Sequence, residues 1–286
     1  MSQPVPPSPA GAQQVCVRHP DRVTGLSCTR CERPACPECL RDASVGFQCV
    51  DCVGRAARQG RRGTTVAGAE PGRRPLVVVA LMAIDVVVYV VTVVQSGSFQ
   101  ANWMSPLHRA TSLAPSLVAD GEWWRLITNG FQHVGSVNLL ITMLVLWVVG
   151  RQVEEVLGHG RFLGLFLLSL LGGSAAVMLF GAPQQYYAGA SGAVFGLVGA
   201  MVVVMRRLRI PPTQLLVLVG LSLAISIVFS GASIAGHIGG LVTGAAVAAA
   251  LVFAPRSNRG LVQVGALVGI GVVLVALISI AAAQLL

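Results

Sequence analysis

The sequence predicts an all-α polytopic membrane protein preceded by a small cysteine-rich module, and three observations predict it. Of the 286 residues, 54% are hydrophobic and only 11% charged, with a mean hydropathy of +0.74, whereas a soluble domain carries about 25% charged residues. The apolar residues come in runs of membrane-spanning length, which one buried core would not need. All 7 cysteines fall between Cys16 and Cys52, and none lies in the apolar remainder. This balance excludes an ordinary soluble enzyme and a disordered regulator. The net charge is +9 and every basic residue is an arginine. These arginines are spread between the apolar runs rather than gathered in one patch, so nucleic acid is not an expected partner.

Residues 1–15 are Pro-rich and polar with no apolar central stretch, and read as a disordered tail rather than a secretory signal. From Cys16 the spacing becomes regular: Cys16-x2-His19, Cys28-x2-Cys31, Cys36-x2-Cys39, Cys49-x2-Cys52. These knuckles supply eight ligands, enough for two tetrahedral sites of four, the requirement of structural zinc. Nothing is left over and no position is vacant for catalysis. A cross-braced pairing (Cys16, His19, Cys36, Cys39 and Cys28, Cys31, Cys49, Cys52) and a sequential one both satisfy the spacing. A disulfide framework is the competing reading, opposed by the odd cysteine count and the missing signal peptide. A module of residues 16–53 is too small for a large apolar core, so two Zn2+ ions would supply much of its folding energy. It resembles a B-box-type zinc finger, which implies a cytosolic protein partner rather than chemistry.

Residues 54–75 form an Arg/Gly-rich linker, read as a solvated tether. Seven apolar runs follow, near Leu76–Val94, Val134–Val149, Phe162–Phe180, Ala188–Met205, Thr213–Phe229, Ser233–Phe253 and Leu261–Leu285. Helices are the natural way to satisfy the backbone in lipid. With the amino terminus inside, the cytoplasmic segments hold 13 arginines and the outer ones only Arg109 and Arg125, so the positive-inside rule places the first module in the cytoplasm. A bacterial inner (plasma) membrane is the expected location. The long outer segment Gln95–Gly130 carries Trp103, Trp123 and Trp124, as expected at a bilayer interface.

Within the spans only Asp85 and His237 are ionisable, and such groups are costly in lipid. Asp85 is expected to face a helix neighbour or a polar pocket. His237 has notable company. Gly189-Ala190-Ser191-Gly192 opens the fourth span and Gly236-His237-x2-Gly240 the sixth, and both spans run from outside to inside. Each carries a ridge of small residues: Gly192, Gly196 and Ala200 on one, Gly236, Gly240 and Gly244 on the other. Such ridges let helix backbones approach closely, which would bring the Ser191 hydroxyl to the His237 imidazole. Serine is a weak nucleophile until a positioned base takes its proton, and histidine titrates in the right range. Small neighbours such as Gly189 let a substrate backbone reach the hydroxyl.

Residues 76–253 resemble a rhomboid intramembrane serine protease. The matching pieces are Trp124-Arg125, the Gly150-Arg151-x2-Glu154 turn, Gly189-Ala190-Ser191-Gly192 with Phe195, and Gly236-His237-x2-Gly240. The resemblance implies a six-helix bundle, to which residues 254–286 add a loop and a seventh transmembrane helix. It also implies a dyad of Ser191 as nucleophile and His237 as general base, with Phe195 packed on the histidine and no cofactor for catalysis. The family's second span reads F-x-H-x4-H-L-x2-N. Here Phe131, His133 and Leu139 match, but Asn138 stands at the second His and Thr142 at the Asn. Asn138 can still donate to an oxyanion through its amide, beside the Ser191 backbone N–H. His133 is expected to hold the loop, Trp124-Arg125 to anchor the outer segment in the headgroups, and Arg151 with Glu154 to form a local ion pair. The implied substrates are single-pass membrane proteins cut near the outer face of the lipid bilayer, with water entering past the fifth span or the Ser230–Ala232 loop. Two other classes are a catalytically inactive client-binding relative and a membrane-tethered zinc adaptor.

Overall fold

Two short hairpins and a following helix carry the cysteine-rich module. In this computed structural model the described residues are 14–59, 64–70, 74–213, 217, 220 and 233–286. Most of the expected tail, most of the fifth span, the Ser230–Ala232 loop and linker residues Arg61, Arg62 and Arg73 lie outside them. The chain divides into two compact units, Met1–Arg62 and Gly63–Leu286.

In the first unit, β1 (Val15–Cys16) pairs antiparallel with β2 (His19–Val23), and β3 (Leu40–Asp42) with β4 (Phe47–Cys49). The second hairpin turns through Gly46 at φ +68, a conformation glycine adopts without penalty. Helix α1 (Val50–Gln59) follows, so regular structure continues past residue 53 into the expected linker. Apart from Ala35 and Leu40, the buried apolar set here is the cysteines themselves, too little for a conventional core.

The second unit is helical: α2 (Leu76–Ser96), α3 (Pro106–Thr111), α4 (Pro115–Ala119), α5 (Arg125–Thr128), α6 (Gly135–Leu157), α7 (His159–Phe180), α8 (Ser191–Arg207), α9 (Ile234–Val252) and α10 (Arg259–Ala283). Among the described residues, α2, α6, α7, α9 and α10 are long and apolar enough to cross a membrane, and α8 has 17 residues. With its exposed rows of valine (Val79, Val86 and Val90 on α2; Val264, Val268 and Val272 on α10), this is a multi-pass membrane protein, since water does not tolerate such surfaces. Helix α7 is the centre. Its Phe162, Leu165 and Phe166 are buried against Leu197 and Ala200 of α8 and Val247 and Leu251 of α9.

Two local expectations are corrected. The second span does not stop near Val149: it passes through a π-helical segment at Leu146–Gly150 and continues to Leu157. The Gly150–Glu154 stretch is therefore helix, not turn. Nor do Arg151 and Glu154 pair. Arg151 lies 5.5 Å over Trp147 and reaches Glu155 at 4.0 Å, while Glu154 accepts the backbone N–H groups of Val77 at 2.9 Å and Val78 at 2.8 Å. It also meets His159 at 2.5 Å. A buried carboxylate gains more from the uncapped N–H groups at the start of α2 than from an exposed arginine.

Residues 64–70 are not a free tether. The Thr65 hydroxyl donates to the Val156 carbonyl at 2.5 Å, and buried Gln263 of α10 donates to the carbonyls of Ala67 (3.1 Å) and Leu251 (2.7 Å).

Candidate active site and metal centres

The small-residue ridges interlock as backbone on backbone. A Cβ at Gly240 would collide with the Gly192 carbonyl, and one at Gly244 with the Gly196 carbonyl. Helix α7 joins them: a Cβ at Gly173 would stand 3.0 Å from the Gly236 carbonyl and 3.3 Å from the Gly192 Cα. Only glycine permits this approach, and it holds the opening turns of α8 and α9 side by side.

Ser191 is the first residue of α8 and half-buried. The chain enters through Gly189 at φ +133, a backbone that a Cβ would strain, and a Cβ there would lie 3.6 Å from the Ser191 Oγ. The Gly189 N–H donates to the Asn129 carbonyl at 3.0 Å. The Asn129 amide in turn donates to the Arg125 carbonyl (2.6 Å) and the Ser174 hydroxyl (3.1 Å). A two-way bridge between Leu113 and Tyr187 ties the approach to Ser191 to the outer segment. Ser191 opens onto a cavity of about 640 Å3 whose wall includes Gly189, Gly192, Gly236, Asn129, Ser174 and His108.

His237 lies on α9 one residue beyond that wall, behind Gly236. Its ring is buried and stacks on Phe195 at a centroid distance of 4.5 Å, tilted by 33°. Neither ring nitrogen has a hydrogen-bond partner, so Ser191 and His237 are not hydrogen-bonded in this state. Catalytic hydrogen bonds are often long before substrate arrives. Asn138 is not among the cavity-lining residues. Its Oδ1 lies 3.2 Å from the Nδ1 of His133, and an amide oxygen only accepts, so His133 carries its proton there. The other nitrogen of His133 is 3.5 Å from buried Asp85, and its carbonyl accepts from Asn102 at 2.6 Å. Asp85 thus faces a neighbouring group, and His133 holds the loop.

The Trp124-Arg125 expectation is corrected in half. Trp124 is exposed, but Arg125 points inward, bonding Glu122 at 2.6 Å and the carbonyls of Arg109 (2.7 Å) and Ser112 (2.6 Å). It gathers the outer segment around itself rather than reaching headgroups. His108, Asn129 and Ser174 escaped sequence reasoning. The Asn129-Gly130 pair was a turn signal, but nothing marked the other two. Burial pushes the His108 imidazole below its ordinary value.

In the first unit the ligands gather as Cys16, His19, Cys36, Cys39 and as Cys28, Cys31, Cys49, Cys52, the cross-braced arrangement, each set within 4.8 Å. His19 Nδ1 stands 3.4 Å from Cys36 Sγ and 3.3 Å from Cys39 Sγ, and Cys31 Sγ is 3.8 Å from Cys49 Sγ. Tetrahedral bonds of about 2.3 Å to sulfur imply edges of about 3.8 Å, so both sets fit a metal ion, and all seven thiols are free. Sulfurs this close oppose one another's ionisation. Burial pushes Cys39 up to about 11 and contact with Cys31 pushes Cys52 up to about 12, while N–H groups led by that of Cys36 hold Cys16 down to about 6. A dication relieves that conflict.

Residues 120–255 match the family model described as Rhomboid domain. The chain is 41% identical over 141 residues to "Rhomboid protease GluP" of Bacillus subtilis (strain 168), covering 48% of this chain and 27% of that protein. It is 33% identical to "RHOMBOID-like protein 4" of Arabidopsis thaliana, covering 56% and 44%. To "Rhomboid protease AarA" of Providencia stuartii it is 28% identical, covering 49% and 59%. The matches thus span between about a quarter and three fifths of these relatives' own length.

Proposed function

Since the chain belongs to the rhomboid family through residues 120–255, we propose that it is an intramembrane serine endopeptidase with Ser191 as nucleophile and His237 as base. The observation that carries this reading is the placement of Ser191. Its hydroxyl opens on a large cavity at the start of a helix whose backbone touches that of the His237 helix through Gly192 and Gly240. The substrates are membrane-anchored proteins, entering as extended chain because an intact helix hides its carbonyls. Helix-weakening residues near the cut favour this.

In the reaction the Ser191 hydroxyl attacks the scissile carbonyl as His237 takes its proton. The C–N bond breaks, His237 returns the proton to the leaving amine, and water then hydrolyses the ester on Ser191. The stack on Phe195 fixes the ring plane of His237. The Ser191 backbone N–H sits at the free start of α8, where developing negative charge is favoured. Asn138 is the side-chain donor proposed to share that charge, with His133 holding its Oδ1 so that the amide N–H2 is left to donate.

The clusters of the first unit hold one Zn2+ each as structural ions, with ligands in a B-box-like module spanning residues 16–53. A cytosolic protein is its partner. Residues 54–75 link it to the protease domain of residues 76–253, and residues 254–286 supply the added helix. Arginine asymmetry supports a cytoplasmic amino terminus in an inner (plasma) membrane.

The test is labelling of the purified, liposome-embedded chain by a fluorophosphonate probe. Labelling is expected in wild type and lost in Ser191→Ala and His237→Ala. Asn138→Ala is expected to lower cleavage about 10²–10³-fold. A folded wild type that does not react while an active relative does would replace this reading with that of a client-binding, inactive member. The absence of Asn138 from the cavity wall is what favours that second reading.

A further inference from the structure

The end of the bundle opposite Ser191 holds a second cavity, of about 210 Å3, lined by Arg207, Arg256 and Arg259 with Thr64, Thr65 and Phe253. No carboxylate lines it, and among the described residues none of the three arginines makes an ion pair. The Nε of Arg259 is buried without a hydrogen-bond partner. Its guanidinium occupies the space left by Gly68, where an added Cβ would stand 2.5 Å from Nη1. Arg207 is turned over Phe253, 5.5 Å from the ring centroid.

The walls are built rather than incidental. Residues 64–70 are fastened to α6 and α10 through Thr65 and Gln263, and Gln263 also accepts from Arg161 at 2.7 Å. Helix α10, 25 residues long, starts at Arg259, with no acidic residue in its first turn and no capping bond from Asn258. Its first N–H groups and its dipole therefore favour an anion at the place where three guanidinium groups converge. The space is several times the ~30 Å3 share of one water.

We infer that this cavity binds a phosphate group, through the guanidinium groups of Arg256 and Arg259 with Arg207 at its rim. Guanidinium matches phosphate oxygens in paired hydrogen bonds, and an orphaned, buried N–H gains an acceptor by it. The phosphate comes from an acidic phospholipid headgroup or from a soluble phosphate ion. The site is independent of whether Ser191 reacts.

The full chain is placed in nanodiscs of phosphatidylcholine, of phosphatidylcholine with phosphatidylglycerol, and of phosphatidylcholine with inorganic phosphate added. Retained lipid is counted by native mass spectrometry and stability by the thermal midpoint. A retained phosphatidylglycerol with a midpoint raised by about 3 °C or more identifies a headgroup site, and an equal rise with inorganic phosphate identifies a soluble ligand. Arg256→Gln/Arg259→Gln is expected to abolish retention and rise. If the double variant does not fold, Arg256→Gln alone, at an exposed side chain, is expected to lower retention several-fold. Arg206→Gln/Arg209→Gln, which removes charges at the same end outside the cavity, is expected to change neither. No response to either phosphate source, an undiminished response in the cavity variants, or an equal loss in the Arg206/Arg209 variant would overturn the inference, the last by showing diffuse attraction.

Discussion

Single glycines decide how near Ser191 and His237 can come. Gly240→Ala drives a methyl into the Gly192 carbonyl, and overpacking against backbone costs about 1–3 kcal/mol or more. Its thermal midpoint in detergent is expected to fall by several degrees. Gly269→Ala on α10, where no atom lies within 4 Å, is expected to leave the midpoint level or higher; equal losses in both would show that the collision is not what matters. The ridge itself was legible in the sequence, because small residues at four-residue spacing on two spans admit few other purposes. The direction of Arg125 was not. A Trp-Arg pair reads the same whether the arginine seeks headgroups or a ring of carbonyls, and those carbonyls come from residues 109 and 112, which carry no mark in sequence. Asn138 is a middle case: its candidacy came from position, but its contact with His133 depends on a loop geometry that no spacing encodes.

Among the described elements, the span boundaries other than the end of the second span came through to within a few residues, since apolar runs and helices in lipid share one cause. The outer segment did not. It reads as a long connection, yet contains α3, α4 and α5, with Pro106 and Pro115 at helix starts as the available hints. The π-helical segment in α6 had no signal at all. It carries Glu154 to the head of α2, where one carboxylate caps two N–H groups. Glu154→Ala is expected to cost about 2–4 kcal/mol, as two charge-assisted hydrogen bonds are lost and buried donors stay unpaired. Glu154→Gln should recover part of that loss, since one amide oxygen still accepts. A midpoint unchanged in Glu154→Ala would contradict the capping role.

For the whole molecule, the division into a cysteine-rich unit whose two clusters could hold metal ions and an apolar helical one was visible from where the cysteines stop. Their cross-braced pairing was not, because the spacing admits two solutions and only the folded hairpins choose. The intact chain is expected to release two equivalents of zinc when its thiols are titrated with a mercurial, and one equivalent in Cys36→Ser. Removal of the metal should open residues 16–52 to limited proteolysis, because cysteines make up most of that unit's buried apolar set. Full protection after complete metal removal would refute the structural role.

The glycine contacts joining α7, α8 and α9 also bear on motion. Helices in backbone contact cannot slide past one another by even an ångström without collision, and splaying them opens a gap with no side chain to refill it, whereas helices separated by leucine or valine have rotamers with which to yield. Ser191 and His237 therefore ride on one stiff chassis, and under the proposed protease reading whatever admits a polypeptide belongs to the parts hung around it. Loss of activity on heating should accordingly coincide with loss of the fold, with no temperature interval in which the bundle stands but the two side chains have drifted apart.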